Sequence, residues 1–386
     1  MRPLPLFPVT TVGSWPRSPA LLEALGRKRR GRMSAEEFSK IADGEVLAAL
    51  GAQESAGVDL VTDGEQRRDN FYSFVAEKLD GVQLMSLAEM LDVVEDKEGF
   101  ARLLDTLDVP AFSIRNPTCV GKIRRREPLV LRDYEFLRRH TDRPIKVTLP
   151  GPYLLTRAMW VKEVTRAVYP SKEDLAEDVV GVLREEAFAL RDADVDFIQF
   201  DEPVLTELVF TQGQTRTFMC AALAARKDPA EELEFAVALI NRVVEGFDDQ
   251  WTGVHVCRGN WSQNEATLLR GSYHPLAPYF ERMNVRQLVL EYATPRAGGF
   301  VNVPNKSIGF GVVNPRIAAI ETPEAIVDRV REALCHLPAE RIFLNPDCGF
   351  GTFANRAMNS PEIAASKLAS LAEAARILRR SAGAFA

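Results

Sequence analysis

The sequence predicts an α/β protein, a single (β/α)8 TIM barrel with a long insertion after the second strand. Three observations carry that expectation: short apolar runs that read as buried strands, helical segments between them, and reactive side chains gathered where the runs end. The runs, eight in all, are residues 9–13, 58–64, 145–151, 197–202, 253–257, 288–292, 308–313 and 342–348. Each is rich in β-branched or large apolar residues and closes on a glycine, a carboxylate or another polar group.

The helices between them announce themselves at their starts. Ser34 with Glu37 three residues on is a capping box, and Thr322-Pro323-Glu324 sets a cap, a first-turn proline and an early acid before residues 325–334. Ser171 opens a segment in which Leu175, Val179, Leu183, Ala187 and Leu190 recur at helical spacing up to a turn at Asp194-Val195-Asp196. A last helix runs from Pro361 to about Arg380, with Leu368, Leu371 and Leu378 on one stripe. The gap between the second and third runs is too long for one helix. It is read as an insertion at about residues 81–140 that carries a β-ribbon over one end of the barrel, with Phe112-Ser113-Ile114 and residues 119–126 in it. Arg124-Arg125-Arg126 fits a solvated ribbon edge.

A chain of 386 residues suggests two or three domains by length alone, but one barrel with an insertion absorbs it. The formal charge of −6, from 48 basic and 54 acidic residues, excludes electrostatic binding of nucleic acid. Apolar residues at 46% and charged residues at 26% fit a packed globular chain. Cysteines at 119, 220, 257, 335 and 348 are too scattered for a disulfide framework, which points to a reducing compartment. Prolines 3, 5 and 8 interrupt the N-terminal apolar segment, so no signal peptide is expected, and no apolar run is long enough to span a membrane. A soluble, cytoplasmic protein is the expectation.

In a barrel the chemistry sits at the C-terminal strand ends. Those ends hold Gly13-Ser14, Asp63-Gly64-Glu65, Asp201-Glu202, His255 with Cys257, Glu291, and Asp347-Cys348. Strand alternation puts His255 and Cys257 on one face, and with Cys348 and Glu291 they make a tetrahedral Zn2+ donor set. A histidine and cysteine in one strand are more often core packing. Cys348 lies in a bend marked by Pro346 and Gly349, and Glu291 ends another run, which favours ligation. Asp201-Glu202-Pro203 suits a cationic group such as an amino-acid ammonium, or else caps the next helix. Glu65 ends its run in a polar cluster that an exposed helix start explains almost equally well. Gly13-Ser14 offers an N–H and a hydroxyl for a carboxylate. Trp15 and Trp160 could stack on a planar ligand or simply pack. Cys119, Cys220, Cys335, His140, His274 and His336 receive no role. The glycine-rich phosphate loops and the G-x-S-x-G serine elbow are absent, which removes nucleotide-dependent and serine-hydrolase chemistry.

Residues 11–16 (Thr-Val-Gly-Ser-Trp-Pro), Asp63-Gly64-Glu65, Gly151-Pro152, residues 198–203, His255-Val256-Cys257, Glu291 and residues 345–349 (Asn-Pro-Asp-Cys-Gly) resemble the catalytic domain of cobalamin-independent methionine synthase. The resemblance runs in unbroken order from about residue 9 to 370. It implies a (β/α)8 barrel that transfers a methyl group to a zinc-bound homocysteine thiol. By position it implies His255, Cys257, Glu291 and Cys348 as zinc ligands, Glu65 and Asp201 as the groups receiving the ammonium, and Gly13 and Ser14 near the carboxylate. The chain is similar to short, single-barrel members, without the second barrel of the full-length synthase. Residues 311–316 contain no histidine, where the family usually has one as an acid for the departing folate. Arg157-Ala158-Met159 replaces an expected folate-stacking tryptophan, with Trp160 slightly displaced. Two donors therefore stay open, a methylated corrinoid, free or protein-bound, and a methyltetrahydrofolate. A related alternative is an epoxyalkane:coenzyme M transferase, although Glu65 and Asp201 favour an amino-acid thiol over a sulfonate. A third is a structural or zinc-storing barrel, which would bury a closed four-ligand site away from any pocket.

Overall fold

The computed structural model describes residues 2–94, 97–98, 115–210, 228–247 and 251–383. A two-stranded antiparallel ribbon pairs β1 (Leu79–Ser86) with β2 (Arg115–Arg125), and a parallel sheet runs in the order β3 (Lys146–Pro150), β4 (Phe197–Asp201), β5 (Trp251–Val256), β6 (Gln287–Glu291), β7 (Ser307–Val313) and β8 (Ile342–Pro346). Every residue of β3, β4, β6 and β8 is buried. That is what a parallel strand covered on both faces demands, and it explains why these strands read as continuous apolar runs.

The principal helices are α1 (Pro19–Arg29), α2 (Ala35–Ala56), α3 (Leu131–Arg138), α4 (Pro152–Met159), α5 (Lys172–Asp192), α6 (Pro229–Val244), α7 (Pro323–Leu334) and α8 (Pro361–Gly383). The capping box at Ser34 forms with Glu37, and α2 ends at Gly57, whose φ of 88° suits a residue without Cβ. Ser171 forms a second box with Asp174, and Thr322 caps α7 through Ala325 N–H at 3.2 Å. Leu175, Val179, Leu183, Ala187 and Leu190 form the buried stripe of α5.

The first two expected strands form differently. Val9 bridges Leu344, Thr10 bridges Leu60 and Val61 bridges Ile145, each as a single parallel contact. Side chains occupy several of the remaining ladder positions. Asp59 accepts from Val9 N–H at 2.9 Å, Thr10 Oγ1 donates to Leu60 O at 2.8 Å, and the Gln53 amide takes both the N–H and the C=O of Thr62 at 3.0 and 2.9 Å. These bonds satisfy the backbone as a ladder would, without its regularity.

Within the expected insertion, Phe112-Ser113-Ile114 lies outside the described residues. The ribbon is fastened to α5 by Glu186, which is fully buried. Its carboxylate accepts from the N–H groups of Leu129, Val130 and Leu131 at 2.8, 2.7 and 2.8 Å and from Arg125 at 2.6 and 2.8 Å. Arg124 and Arg126 are exposed, as a solvated edge requires, but Arg125 is this anchor. Among the described residues no helix is long and apolar enough to cross a membrane.

Candidate metal centre and substrate cleft

The strand ends place several of the expected groups around one cleft of about 440 Å³, its open mouth included. Val12, Ser14, Glu65, Asp201, His255, Cys257 and Cys348 line it. Asp201 and His255 are register partners on β4 and β5, so their side chains leave adjacent strands at one level. His255 and Cys257 are each 3% exposed and Cys348 is 7% exposed.

The ligating atoms of His255, Cys257 and Cys348 all lie within 4.8 Å of one another. His255 Nδ1 sits 3.1 Å from the carbonyl of Val289, which assigns the ring proton to Nδ1. That leaves the buried Nε2 for the cluster, where it is not in strict hydrogen-bond geometry with any described group but sits close enough to the Cys348 sulfur for the two to interact. The adjacent Cys257 thiol pulls Cys348 well below the ordinary thiol range, while sharing that proton and burial push Cys257 up. The pair thus holds one negative charge readily. An imidazole lone pair and two close sulfurs, one of them easily ionised, fit a soft or borderline cation such as zinc.

Glu291, the fourth expected ligand, is not in this group. Its carboxylate is turned to Arg296 at 3.2 Å, Arg258 at 3.5 Å and the Asn260 amide. Asp347 Oδ1 accepts from Tyr292 N–H and Ala293 N–H at 2.9 and 2.8 Å, which fixes the chain just after Glu291.

Glu65 and Asp201 face the same cleft. Glu65 has φ of 54°, a left-handed conformation rare outside glycine, held by its N–H donating to Asp63 Oδ1 at 3.0 Å. Its Oε1 accepts from Thr148 at 2.9 Å with Arg68 3.8 Å away, and its buried Oε2 has no partner among the described residues. Asp201 Oδ1 accepts from Gln199 at 2.8 Å. Burial pushes Asp201 up to about 7, with the Glu65 charge adding to the rise. Beneath them Lys146 is buried, donates to Thr11 O, and is pushed by burial down to about 7.

Glu202 does not enter the cleft. Its carboxylate accepts from the N–H groups of Tyr153 and Leu154 at 2.8 and 2.9 Å, so it caps α4, the helix after the preceding strand rather than the next one. Burial pushes it up to about 8. Ser14 Oγ accepts from Gly351 N–H at 3.3 Å, and Phe350 N–H donates to Ser14 O at 2.9 Å, tying the first strand end to the loop of Cys348. Arg17, fully buried, donates to the carbonyls of Gly351, Glu65 and Arg68 and so binds the loops behind the first, second and eighth strand ends together. Trp15 packs edge-on against Phe350, and neither it nor Trp160 lines the cleft. Trp261, Asn260, Phe71 and Thr352 do. Asn260 and Trp261 follow directly on the His255-x-Cys257 strand, and that adjacency was the signal available for them.

Residues 7–376 match the family model described as the catalytic domain of cobalamin-independent synthase. The chain belongs to the cobalamin-independent methionine synthase family. A methionine synthase of Saccharolobus solfataricus is 30% identical over 389 residues, covering 98% of this chain and 97% of that relative. One from Thermococcus kodakarensis is 28% identical and covers 98% and 95%. Among solved structures, a B12-independent methionine synthase from Shewanella in complex with selenomethionine superposes with a TM-score of 0.72 at 24% identity, over 98% of this chain and 99% of that one, and shows the fold. Methionine synthases are methyltransferases, and by this membership the chain is one too.

Proposed function

We propose that this chain methylates the thiol of homocysteine to give methionine, with the thiol activated at a zinc ion held by His255, Cys257 and Cys348. The observation that supports it is the convergence of those three ligand atoms in the cleft that also contains Glu65 and Asp201. Zinc bound there would lower the pKa of an added thiol so that a thiolate is present at neutral pH. The remaining work falls to the protein. Glu65 Oε2 and Asp201 receive the substrate ammonium, while the Gly13-Ser14 turn receives the carboxylate, with the Ser14 hydroxyl as donor. In the transfer, a bond forms between substrate sulfur and methyl carbon as the donor–methyl bond breaks, and the bonding pair leaves with the donor.

The same reading takes the sheet as a closed (β/α)8 barrel in one domain, residues 1–386. The bridges from Leu344 to Val9, Thr10 to Leu60 and Val61 to Ile145 support closure, and the ribbon supports an insertion at about 81–140. Free thiols at Cys119, Cys257, Cys335 and Cys348 suit a reducing, cytoplasmic setting. Two carboxylates in the cleft, with relatives named methionine synthases, favour homocysteine over the sulfonate thiol coenzyme M. A purely structural metal site is disfavoured because the three ligands line an open cleft.

The test joins metal and substrate. Purified protein should carry about one zinc per chain, lost in Cys257→Ser and Cys348→Ser. Holoenzyme and chelator-stripped protein are then assayed with homocysteine plus methylcobalamin or methyltetrahydrofolate side by side, reading methionine. One donor should support turnover, and stripping should abolish it. Full activity without metal, or methylation of coenzyme M but not homocysteine, overturns the reading.

A further inference from the structure

We propose that Trp261 is the gate of the cleft: its indole shuts the strand ends off from solvent and moves aside with residues 261–267 to admit the thiol substrate. The proposal rests on the reading of this cleft as the substrate site and adds a residue that controls entry to it.

Of the residues lining the cleft, all but Thr352 are buried, so an amino-acid thiol reaches the strand ends only when one of them moves. Most of them sit on strand ends and are fixed by the sheet. Phe71 and Thr352 belong to two loops tied to each other, through the Asn70–Phe353 bridge and through Ala354 N–H donating to Asp69 O at 2.8 Å. Asn260 is held at its side-chain carbonyl by Arg296 at 3.3 Å and Arg316 at 3.1 Å. Trp261, the next residue along and 3% exposed, stands just beyond these ties.

The loop that carries it has a fixed base and a movable tip. Arg258 donates to Gly271 O at 2.7 Å, Leu269 N–H donates to Arg258 O at 3.2 Å, and Arg296 donates to Gly259 O at 3.0 Å and Leu269 O at 3.3 Å. Arg258 and Arg296 are themselves held in the field of two acids, Glu291 and Asp347. The two stems are thereby closed on each other, the form of an Ω-loop. Within the tip, Asn264 organises the turn: its N–H donates to Ser262 Oγ at 3.0 Å, and it accepts from Ala266 N–H at 3.1 Å and Thr267 Oγ1 at 2.9 Å. The tip can therefore move as one piece. Two of its outward ties run through exposed side chains, Gln263 Nε2 to Met358 O at 3.3 Å and Glu265, 42% exposed, to Arg316 at 2.5 Å. Contacts of that kind yield at small cost. Gly259, with φ of 83°, lets the indole fold back over its own chain, because a Cβ there would collide with the Trp261 ring. The closed position thus depends on that glycine.

Thiol labelling of chelator-stripped protein follows the gate without turnover. Cys257 and Cys348 report the cleft, Cys335 the exposed surface, and Cys119, buried in the ribbon, any general loosening. With labels located by peptide mass spectrometry, wild type should label Cys257 and Cys348 slowly, and a bulky maleimide should react far more slowly than iodoacetamide. Trp261→Ala and Gly259→Ala should label both about tenfold faster or more and lose the size preference, with Cys119 unchanged. Trp261→Phe should restore slow labelling, and Glu265→Gln should speed it about two- to fivefold. If Trp261→Ala labels the cleft no faster than wild type, or if Cys119 rises in step with it, the gate is overturned and the zinc reading is untouched. Zinc should protect both cleft thiols in every variant. Failure to protect them overturns the zinc reading, and with it the substrate role of the gate.

Discussion

At Gly13 the missing side chain decides the geometry of the cleft. A Cβ there would lie 2.4 Å from Glu65 Oε1, closer than any real contact, and at Gly349 one would lie 2.1 Å from Ser14 Oγ. Neither glycine has positive φ, so close approach and not backbone freedom requires it. Gly13→Ala should push Glu65 off its position at a cost of about 1–3 kcal/mol, read as roughly tenfold or greater weakening of homocysteine binding by calorimetry. Zinc content should stay at the wild-type level, because the ligands come from other strands. Loss of zinc together with homocysteine would show that Glu65 does not act alone there.

At the scale of elements, one carboxylate fastens the ribbon to the sheet-covering layer. Glu186→Ala would leave the Arg125 guanidinium and the N–H groups of Leu129, Val130 and Leu131 without their acceptor. A loss of about 3–5 kcal/mol is expected, because the partners stay buried when one ion is removed. Hydrogen exchange should rise first across residues 115–131, and unchanged exchange there would mean that the ribbon is held by other contacts. Such long-range ties mark the limit of what the sequence reveals. The helix starts at Ser34, Ser171 and Thr322 were legible because a cap and its partner sit three residues apart. His255 and Cys257 were legible because strand alternation alone puts them on one face. Glu186 serves groups 55–61 residues away, and Arg258 meets Glu291 across 33 residues, so no local pattern could report either tie. From its strand end alone Glu291 offered itself as a ligand with no sign of its arginine partners, and Glu202 stayed open between an ammonium site and a cap for the next helix, whereas its carboxylate caps α4.

In the body of the molecule, the Lys146 amine is buried under the cleft, near Asp201 and Glu65. Its folded pKa of about 7 lies below the ordinary 10.5. Below about pH 7 both folded and unfolded chains hold the proton. Between there and about 10.5 the unfolded chain holds one more, so this group makes stability rise with pH by at most about 1.4 kcal/mol per unit. Urea unfolding of wild type and Lys146→Met from pH 7 to 10 should show the difference moving in favour of the wild type. A difference flat in pH would mean that Lys146 keeps an ordinary pKa. Arg17 extends the same logic to the mouth of the sheet, where a single guanidinium is shared by the loops that carry Ser14, Glu65 and Cys348. Those loops cannot relax separately, so the entropy of arranging the carboxylate, ammonium and sulfur contacts is lost once, when the chain folds, and a ligand meets a surface already in register.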